Sequence, residues 1–296
     1  MKRSLKLLFL ALIALILMPI ALRGPKHKER GKFSLEMVTS NLPFHSEWQP
    51  RAQTLEESNE LEAALSQPYH PLGSGGQCIT FESDDGKYVI KLFKQRKFAI
   101  PAWIECFPVP FLVDWLREKK LQKRLERRQK VFSAFLLSFD QLAKETGLLY
   151  IHLNPTDHLK KALTLTDTKG NIHCLHLDSL EFVVQKRAQL AFTVIDSLVA
   201  ENKIDEAKQA IDRLLALENQ FYQKGFRNRD PNFRHNYGFI GTEPILIDVG
   251  RIVPAEGVET KPFPVLSRFR AFLEDKHPGL LTHFDQSVAQ ILPRVG

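Results

Sequence analysis

Three side chains that could hold a metal ion lie within NRDPNFRHNYGFIGTEPILIDVG, residues 228–250. Asp230 and Asn236 come first, and Asp248 directly follows the apolar run ILI. Carboxylate and amide oxygens are the ligands that Mg²⁺ prefers. An apolar strand that ends at a carboxylate has no purpose in a solvated loop, so the stretch predicts a β-hairpin carrying a metal–phosphate site. The alternatives are an ordinary Asp-Pro turn at Asp230 and a simple loop start at Asp248.

Two upstream features could contact a phosphate. Gly73, Gly75 and Gly76 lie in LGSGG between two apparent strands, and glycine lets the backbone approach an anion closely. Lys91 is a single cation inside the apolar strand YVIKLF. Taken alone, the glycines fit an ordinary strand turn, and Lys91 fits an exposed strand face.

The surrounding pattern predicts a β-rich part followed by a helical part. Asp85-Gly86 lies between alternating apolar runs and predicts a hairpin turn, and a capping-box pattern at Thr54 predicts a short helix that ends near Ser66. Apolar residues spaced as on one helix face predict a helix over 204–223. Further helices are expected near 117–144, 263–275 and 279–292. The fold class is therefore α+β with two lobes.

The order of these features resembles the protein-kinase-like superfamily over about residues 67–252: a glycine loop, a strand lysine, a catalytic loop and a metal-binding aspartate after a hairpin. Asn228-Arg229-Asp230 is similar to His-Arg-Asp, and Asp248-Val249-Gly250 to Asp-Phe-Gly. Only 48 residues follow Asp248 and Ala-Pro-Glu is absent. The chain thus resembles compact sugar, antibiotic (aminoglycoside) and lipopolysaccharide-core kinases more than regulated protein kinases.

The resemblance implies a protein-kinase-like fold with a reduced helical C-lobe, with ATP and Mg²⁺ as cofactors. It implies that Lys91 contacts the α- and β-phosphates beneath the glycine loop, and that the strand ending at Gln185 leads to a hinge against the adenine. It also implies that Asp230 accepts the proton of the acceptor hydroxyl, and that Asn236 and Asp248 hold the metal.

The sequence departs from the family pattern at three places. Cys78 stands near the third glycine of the loop. The spacing from Asp230 to Asn236 is one residue longer than usual, which makes Asn232 an alternative metal ligand. Glu126 is the expected partner of Lys91 in the nucleotide site, with Glu118 as the alternative.

The net charge of +7 is not spread over the chain. Residues 1–32 carry eight Lys or Arg and one Glu, and residues 117–130 carry eight and two, which leaves a net charge of −6 on the remainder. A nucleic-acid partner is therefore not expected. The three cysteines are too few and too scattered for a disulfide framework, which favours a reducing compartment.

The N-terminus predicts a membrane anchor. Sixteen apolar residues run from Leu7 to Leu22 between basic flanks, and as a helix they span about 24 Å. A cleaved signal peptide is the alternative, although its small-x-small cleavage pattern is poor, with Pro19 two residues before Ala21. Flanking charges favour a single-pass anchor with the body on the cytoplasmic side. The aromatic and basic segment 98–130 is a second candidate for membrane contact, and a buried insertion followed by a solvated face is its alternative.

The sequence therefore predicts a membrane-anchored, ATP- and Mg²⁺-dependent phosphotransferase that acts on a hydroxyl of a sugar, a lipid-linked molecule or a protein. The alternative is a weakly active or inactive pseudokinase that serves as a nucleotide-binding or protein-interaction scaffold. The expected organisation is an anchor, a linker with a short helix, an N-lobe and a C-lobe, over 1–23, 24–66, 67–187 and 188–296.

Overall fold

A computed structural model of the chain describes residues 33–40, 43–95, 98, 111–230, 232–255 and 265–291. The predicted anchor at 1–23 and most of segment 98–110 lie outside these ranges. Within them, no helix is both long enough and apolar enough to span a bilayer.

A seven-stranded sheet dominates the first part of the described chain. Its strands are β1 (Tyr69–Ser74), β2 (Cys78–Ser83), β3 (Tyr88–Phe93), β4 (Leu148–His152), β5 (Ala162–Thr166), β6 (Ile172–His176) and β7 (Phe182–Lys186). They lie in the order β4-β7-β3-β2-β1-β5-β6. Neighbouring strands are antiparallel except β1 and β5, which run parallel.

The predicted turn between β2 and β3 is confirmed. Gly86 has a φ of +68°, which a residue with a side chain rarely adopts. Asp85 supports the turn because its carboxylate accepts hydrogen bonds from the Lys87 amide and the Ser83 hydroxyl. The turn fixes the register of β3 and therefore the position of Lys91 opposite Thr80.

Two helices flank the sheet in sequence. Helix α1 (Leu55–Leu65) begins at the predicted capping box, in which Thr54 and Glu57 each accept from the other's backbone amide. Helix α2 (Phe111–Thr146) starts earlier than the predicted 117 and has a non-helical residue at Leu142.

Helices and short strands make up the remainder. Helix α4 (Ile204–Gln223) has the bounds predicted from the sequence, because its apolar stripe faces the core along its whole length. The helices are α3 (Ala191–Ala200), α4 (Ile204–Gln223), α5 (Phe233–Asn236), α6 (Val265–Lys276) and α7 (Leu281–Ile291); the strands are β8 (Gln189–Leu190), β9 (Phe226–Asn228), β10 (Tyr237–Ile240), β11 (Glu243–Leu246) and β12 (Ile252–Pro254).

The strands β3, β4 and β7 are buried on both faces, whereas β5 and β6 are exposed on one face. Along β7, Val183 packs into the core shared with α2, α4 and the C-terminal helices, whereas Phe182 and Val184 pack into a second core with α1, β5 and β6. The fold is therefore α+β, with a β-rich part followed by a helix-rich part, as predicted. Residues 33–296 cluster as a single unit, and the lobe boundary at 187/188 stays a prediction.

Candidate active site

One cavity of about 1010 Å³ brings the predicted site residues together. It lies between the strands β1–β3, the strand β8 and the segments on either side of the β10–β11 hairpin. Its lining includes every site residue expected from the sequence except Glu126, namely Gly73, Gly75, Gly76, Lys91, Asp230, Asn236 and Asp248.

The glycine turn covers one side of the cavity. The Gly75 amide donates to the Cys78 carbonyl at 3.0 Å, which closes the turn between β1 and β2. A Cβ on Gly73 or Gly76 would meet nothing within 4 Å, so the backbone there is open to a ligand. The amine of Lys94 donates to the Gly75 carbonyl at 2.5 Å and so stabilises the turn.

Cys78 lines the cavity where the resemblance places a third glycine. Burial raises the pKa of its thiol to about 12, and the nearby amine of Lys91 opposes this only in part. The thiol is therefore protonated at neutral pH and acts as a small apolar wall.

Lys91 is buried and points into the cavity from β3. Its amine donates to the Ile247 carbonyl at 2.6 Å, and no carboxylate in the described ranges lies within salt-bridge distance of it. Burial lowers the pKa of Lys91, and the negative charge of Asp248 opposes this effect. An ammonium group with one backbone acceptor has two further donors for an anion.

Glu126 is not brought to Lys91. It lies on the exposed face of α2, as does the alternative Glu118, and neither lines the cavity. The residue of α2 that does reach the cavity is Phe135. At about 100° per residue, Phe135 and Glu126 lie on opposite sides of the helix, so the face toward Lys91 is apolar.

Asp230 follows β9, which pairs with β12 so that Asn228 lies opposite Ile252. The Asp230 amide donates to Asn228 Oδ1 at 2.9 Å, and Asp230 Oδ1 accepts from the Asn232 amide at 3.0 Å. Arg251 Nε lies 3.6 Å from Asp230 Oδ2. The carboxylate is thus held at the cavity wall by both flanking segments.

The hairpin positions Asn236 and Asp248. Tyr237 pairs with Leu246, and the Ile247 amide donates to the Asn236 carbonyl at 2.6 Å. Asp248 is exposed to the cavity, and its Oδ1 accepts from the Gly250 amide at 3.1 Å.

Asn236 has an unsatisfied polar atom. Its side chain is 3% exposed, and its Nδ2 has no hydrogen-bond partner among the described residues. A buried amide group of this kind is costly unless something binds it. Asn232 also lines the cavity, but its side chain is exposed to solvent. Because Nδ2 is a donor, Asn236 suits an acceptor atom of a ligand such as a phosphate oxygen, whereas a metal would bind its Oδ1.

Gln185 is a site residue whose role the sequence did not reveal. It is 1% exposed, and its Nε2 donates to the Thr146 carbonyl at 2.5 Å and to the Ile247 carbonyl at 3.2 Å. It thereby connects the end of α2, the strand β7 and the residue before Asp248. A polar residue at the end of an otherwise apolar strand was the only signal in the sequence.

The polar groups that line the cavity are of the types that a magnesium nucleotide requires. Lys91 and the open glycine backbone suit phosphate oxygens, whereas Asp248 and the Asn236 amide offer hard oxygen ligands. No group of three or more His, Cys, Asp or Glu in the described part of the chain could hold a metal without further ligands. Two protein ligands suit Mg²⁺, which usually takes its remaining ligands from phosphates and water.

No protein-family model matches the sequence, and no curated protein matches it significantly. Among solved structures, the chain is similar to the bifunctional kinase-methyltransferase WbdD, with 15% identity over 74% of this chain and 44% of that one and a TM-score of 0.35. It is also similar to Rv3197 from Mycobacterium tuberculosis, solved in complex with erythromycin, with 13% identity over 75% and 55% and a TM-score of 0.34. The chain thus spans about half the length of the structures it matches. Likenesses at this level do not assign a function.

Proposed function

We propose that this chain is an ATP- and Mg²⁺-dependent phosphotransferase of the protein-kinase-like type, acting on a hydroxyl group. The proposal depends on one observation. A single cavity is lined by the open glycine turn and by Lys91, Asp230, Asn236 and Asp248. These residues come from four separate segments of the chain, so their meeting does not follow from local sequence.

Each residue has a role in the proposed reaction. Lys91 and the glycine turn bind the phosphates, and Asn236 and Asp248 hold the metal. Bound Mg²⁺ supplies neutralisation of the charge that develops on the phosphate oxygens. Asp230 orients the acceptor hydroxyl and takes its proton as the hydroxyl oxygen bonds to the γ-phosphorus and the bond to the β-phosphate oxygen breaks.

Calorimetric titration of the full-length chain with ATP, with and without Mg²⁺, tests the nucleotide site. We expect Mg²⁺-dependent binding that Asp248→Ala abolishes and that Asp285→Ala, at an exposed carboxylate on α7, leaves intact. Absence of ATP binding by the wild-type chain would contradict the proposal.

A pseudokinase scaffold is the second candidate. The observation in its favour is that Lys91 lacks a carboxylate partner within the described ranges, since Glu126 lies on the far side of α2. The two candidates differ in the effect of Asp230→Asn. Without the acceptor, water takes the place of the hydroxyl, and in a phosphotransferase Asp230→Asn abolishes this hydrolysis of Mg·ATP to ADP and phosphate with little change in ATP affinity. A scaffold shows no hydrolysis before or after the change.

We further propose that residues 7–22 anchor the chain in a membrane with the body on the cytoplasmic side, and that α2 contacts the bilayer surface. Trp115 on α2 is 63% exposed beside Lys119, whose amine lies 5.1 Å from the centre of the indole ring, and basic residues continue along the helix. Exposed tryptophan next to basic residues suits an anionic headgroup layer.

Two measurements test the membrane proposal. We expect carbonate washing of membranes from expressing cells to leave the chain in the pellet, and recovery in the supernatant would contradict the anchor. For α2, we expect the wild type to bind phosphatidylglycerol vesicles more than phosphatidylcholine vesicles. Trp115→Ala should reduce this preference, and Leu55→Ala at the exposed start of α1 should not. The readout is the fraction of the chain that co-floats with vesicles at limiting lipid, and equal fractions of wild type with both vesicle types would contradict surface contact by α2.

A further inference from the structure

A buried chain of polar groups connects helix α4 with the loop that carries Asp230. Glu218 lies on the buried face of α4, and Tyr237 Oη donates to its carboxylate at 2.5 Å. Asn228 Nδ2 in turn donates to Tyr237 Oη at 3.0 Å. Asn228 Oδ1 then accepts from the Asp230 amide at 2.9 Å. Three consecutive hydrogen bonds therefore join a buried carboxylate to the backbone of the proposed base.

The Glu218 carboxylate sets the donor-to-acceptor direction of these three hydrogen bonds. An ionised carboxylate only accepts hydrogen bonds, so the hydroxyl of Tyr237 donates to Glu218 and leaves its oxygen lone pairs for the Asn228 amide. That contact turns Asn228 Oδ1 toward the Asp230 amide. A protonated Glu218 can itself donate to the tyrosine oxygen, which removes the preference for one direction.

These hydrogen bonds connect Asp230 to α4, and the buried ring of Phe233, three residues on, stacks on Phe269 of α6. On its other side the loop is joined to the segment after Asp248 through the β9–β12 pairing, and its carboxylate contacts Arg251 and the Asn232 amide. Without these buried hydrogen bonds, the Asp230 backbone would be held by the β9–β12 pairing and by the packing of Phe233.

We infer that Glu218 is a positioning residue that acts through Tyr237 and Asn228 to hold the Asp230 backbone in place. The catalytic consequence rests on the proposed function, whereas the positioning itself does not. A purely structural alternative is that the three side chains satisfy one another and leave the loop unaffected.

The electrostatics of Glu218 make the inference accessible to experiment. Burial raises the pKa of Glu218 to about 7, although the hydrogen bond from Tyr237 and the charge of Arg227 on β9 lower it. Helix α4 also packs against α3, α7 and β11. The charged or titratable groups described on those elements are Asp196, His283, Asp285 and Glu243. None of them is among the causes of the raised pKa of Glu218.

Amide hydrogen exchange of the full-length chain, measured on peptides that contain Asp230 and corrected for intrinsic exchange rates, tests the positioning directly. In the wild type we expect more protection at pH 8 than at pH 6. Glu218→Gln keeps a hydrogen-bond acceptor for Tyr237 without a titrating proton, so we expect it to remove the pH difference. Tyr237→Phe interrupts the chain, and we expect protection at pH 8 to fall about tenfold.

Tyr69→Phe is the matched control, since Tyr69 is also fully buried and donates a single hydrogen bond, to the Ala64 carbonyl at 3.1 Å, in the other core. Unchanged protection in Tyr237→Phe, or an equal loss in Tyr69→Phe, would overturn the inference. If Tyr237→Phe does not fold, the comparison of wild type with Glu218→Gln at the two pH values decides alone, and a pH difference that persists in Glu218→Gln overturns it.

Turnover of Mg·ATP gives the functional readout. We expect kcat for phosphate release to fall below about pH 7 in the wild type and not in Glu218→Gln, with KM for ATP unchanged in both. A wild-type chain that neither binds nor turns over Mg·ATP would refute the proposed function, and the exchange experiment would still decide whether Glu218 positions the loop.

Discussion

Replacement of Lys91 by methionine is expected to show whether the lysine stabilises the fold or binds a ligand. Lys91 is 9% exposed and has one backbone acceptor, the Ile247 carbonyl. Methionine has a similar unbranched shape, so the packing change costs less than about 1.5 kcal/mol. The lost charged hydrogen bond costs about 1.5–3 kcal/mol, but the variant also no longer buries an ion, which costs several kcal/mol in real proteins.

These terms oppose each other, so we expect the free energy of unfolding of Lys91→Met to be unchanged within about 1 kcal/mol or to rise. Affinity for Mg·ATP is expected to fall about 10- to 100-fold, because a charged contact to phosphate is lost. Urea unfolding and calorimetry measure the two quantities. Lys208→Met removes an exposed amine near Asp205 and is the control, with little effect on either.

The pH dependence supplies an independent check. Since burial lowers the pKa of Lys91 from 10.5, the unfolded chain holds the proton over a range in which the folded chain has lost it. The unfolded state then binds more protons, and wild-type stability rises with pH between the lowered pKa and 10.5. The variant lacks this rise. A loss of more than about 3 kcal/mol at pH 7, as when one partner of a buried ion pair is removed, would instead make Lys91 a structural residue.

Two further predictions concern the fold around the site. Gly238→Ala should destabilise the protein by about 1–3 kcal/mol in urea unfolding, because the new Cβ would lie 2.6 Å from the Gln189 carbonyl oxygen on the neighbouring strand; Gly279→Ala, with nothing within 4 Å, is the control, and equal stability of the two variants would refute the steric reasoning. Glu57→Gln should cost about 1 kcal/mol at neutral pH. The hydrogen bond from Arg51 lowers the pKa of Glu57 to about 2, so this stabilisation is lost as the pH falls from about 4.5 toward 2. In urea unfolding at pH 7, 4 and 2.5, the difference in free energy of unfolding between Glu57→Gln and the wild type should shrink as the pH falls. A constant difference would contradict stabilisation by the ionised Glu57.

The elements with a long repeating pattern could be predicted from the sequence. Helix α4 presents apolar residues to the core over five turns, and the β2–β3 hairpin has both an alternating pattern and a glycine turn. The strands β8, β9 and β12 have two or three residues each, too few for any period. They exist because distant partners pair with them, which single-sequence patterns do not report.

The same distinction explains which site residues could be found. Lys91 and Asp248 interrupt or end apolar strands, and such exceptions are visible in a sequence. The separation of Glu126 from Lys91 could not be predicted this way, because Glu126 and the cavity-facing Phe135 lie in one helix whose orientation is set by packing. The contact of Tyr237 with Glu218 likewise joins a strand and a helix that are adjacent only in the folded chain.

Ile247 gives a physical reason for the apolar strand that ends at Asp248. Its amide donates to the Asn236 carbonyl, and its own carbonyl accepts from both Lys91 and Gln185. The backbone of one residue therefore fixes three cavity residues relative to Asp248. The Lys91 amine keeps two further donors, so an anion can bind it without displacing the Ile247 carbonyl. The burial of Ile245 and Leu246 holds the strand in place. An anion at Lys91 is therefore positioned relative to Asp248 through a single backbone carbonyl.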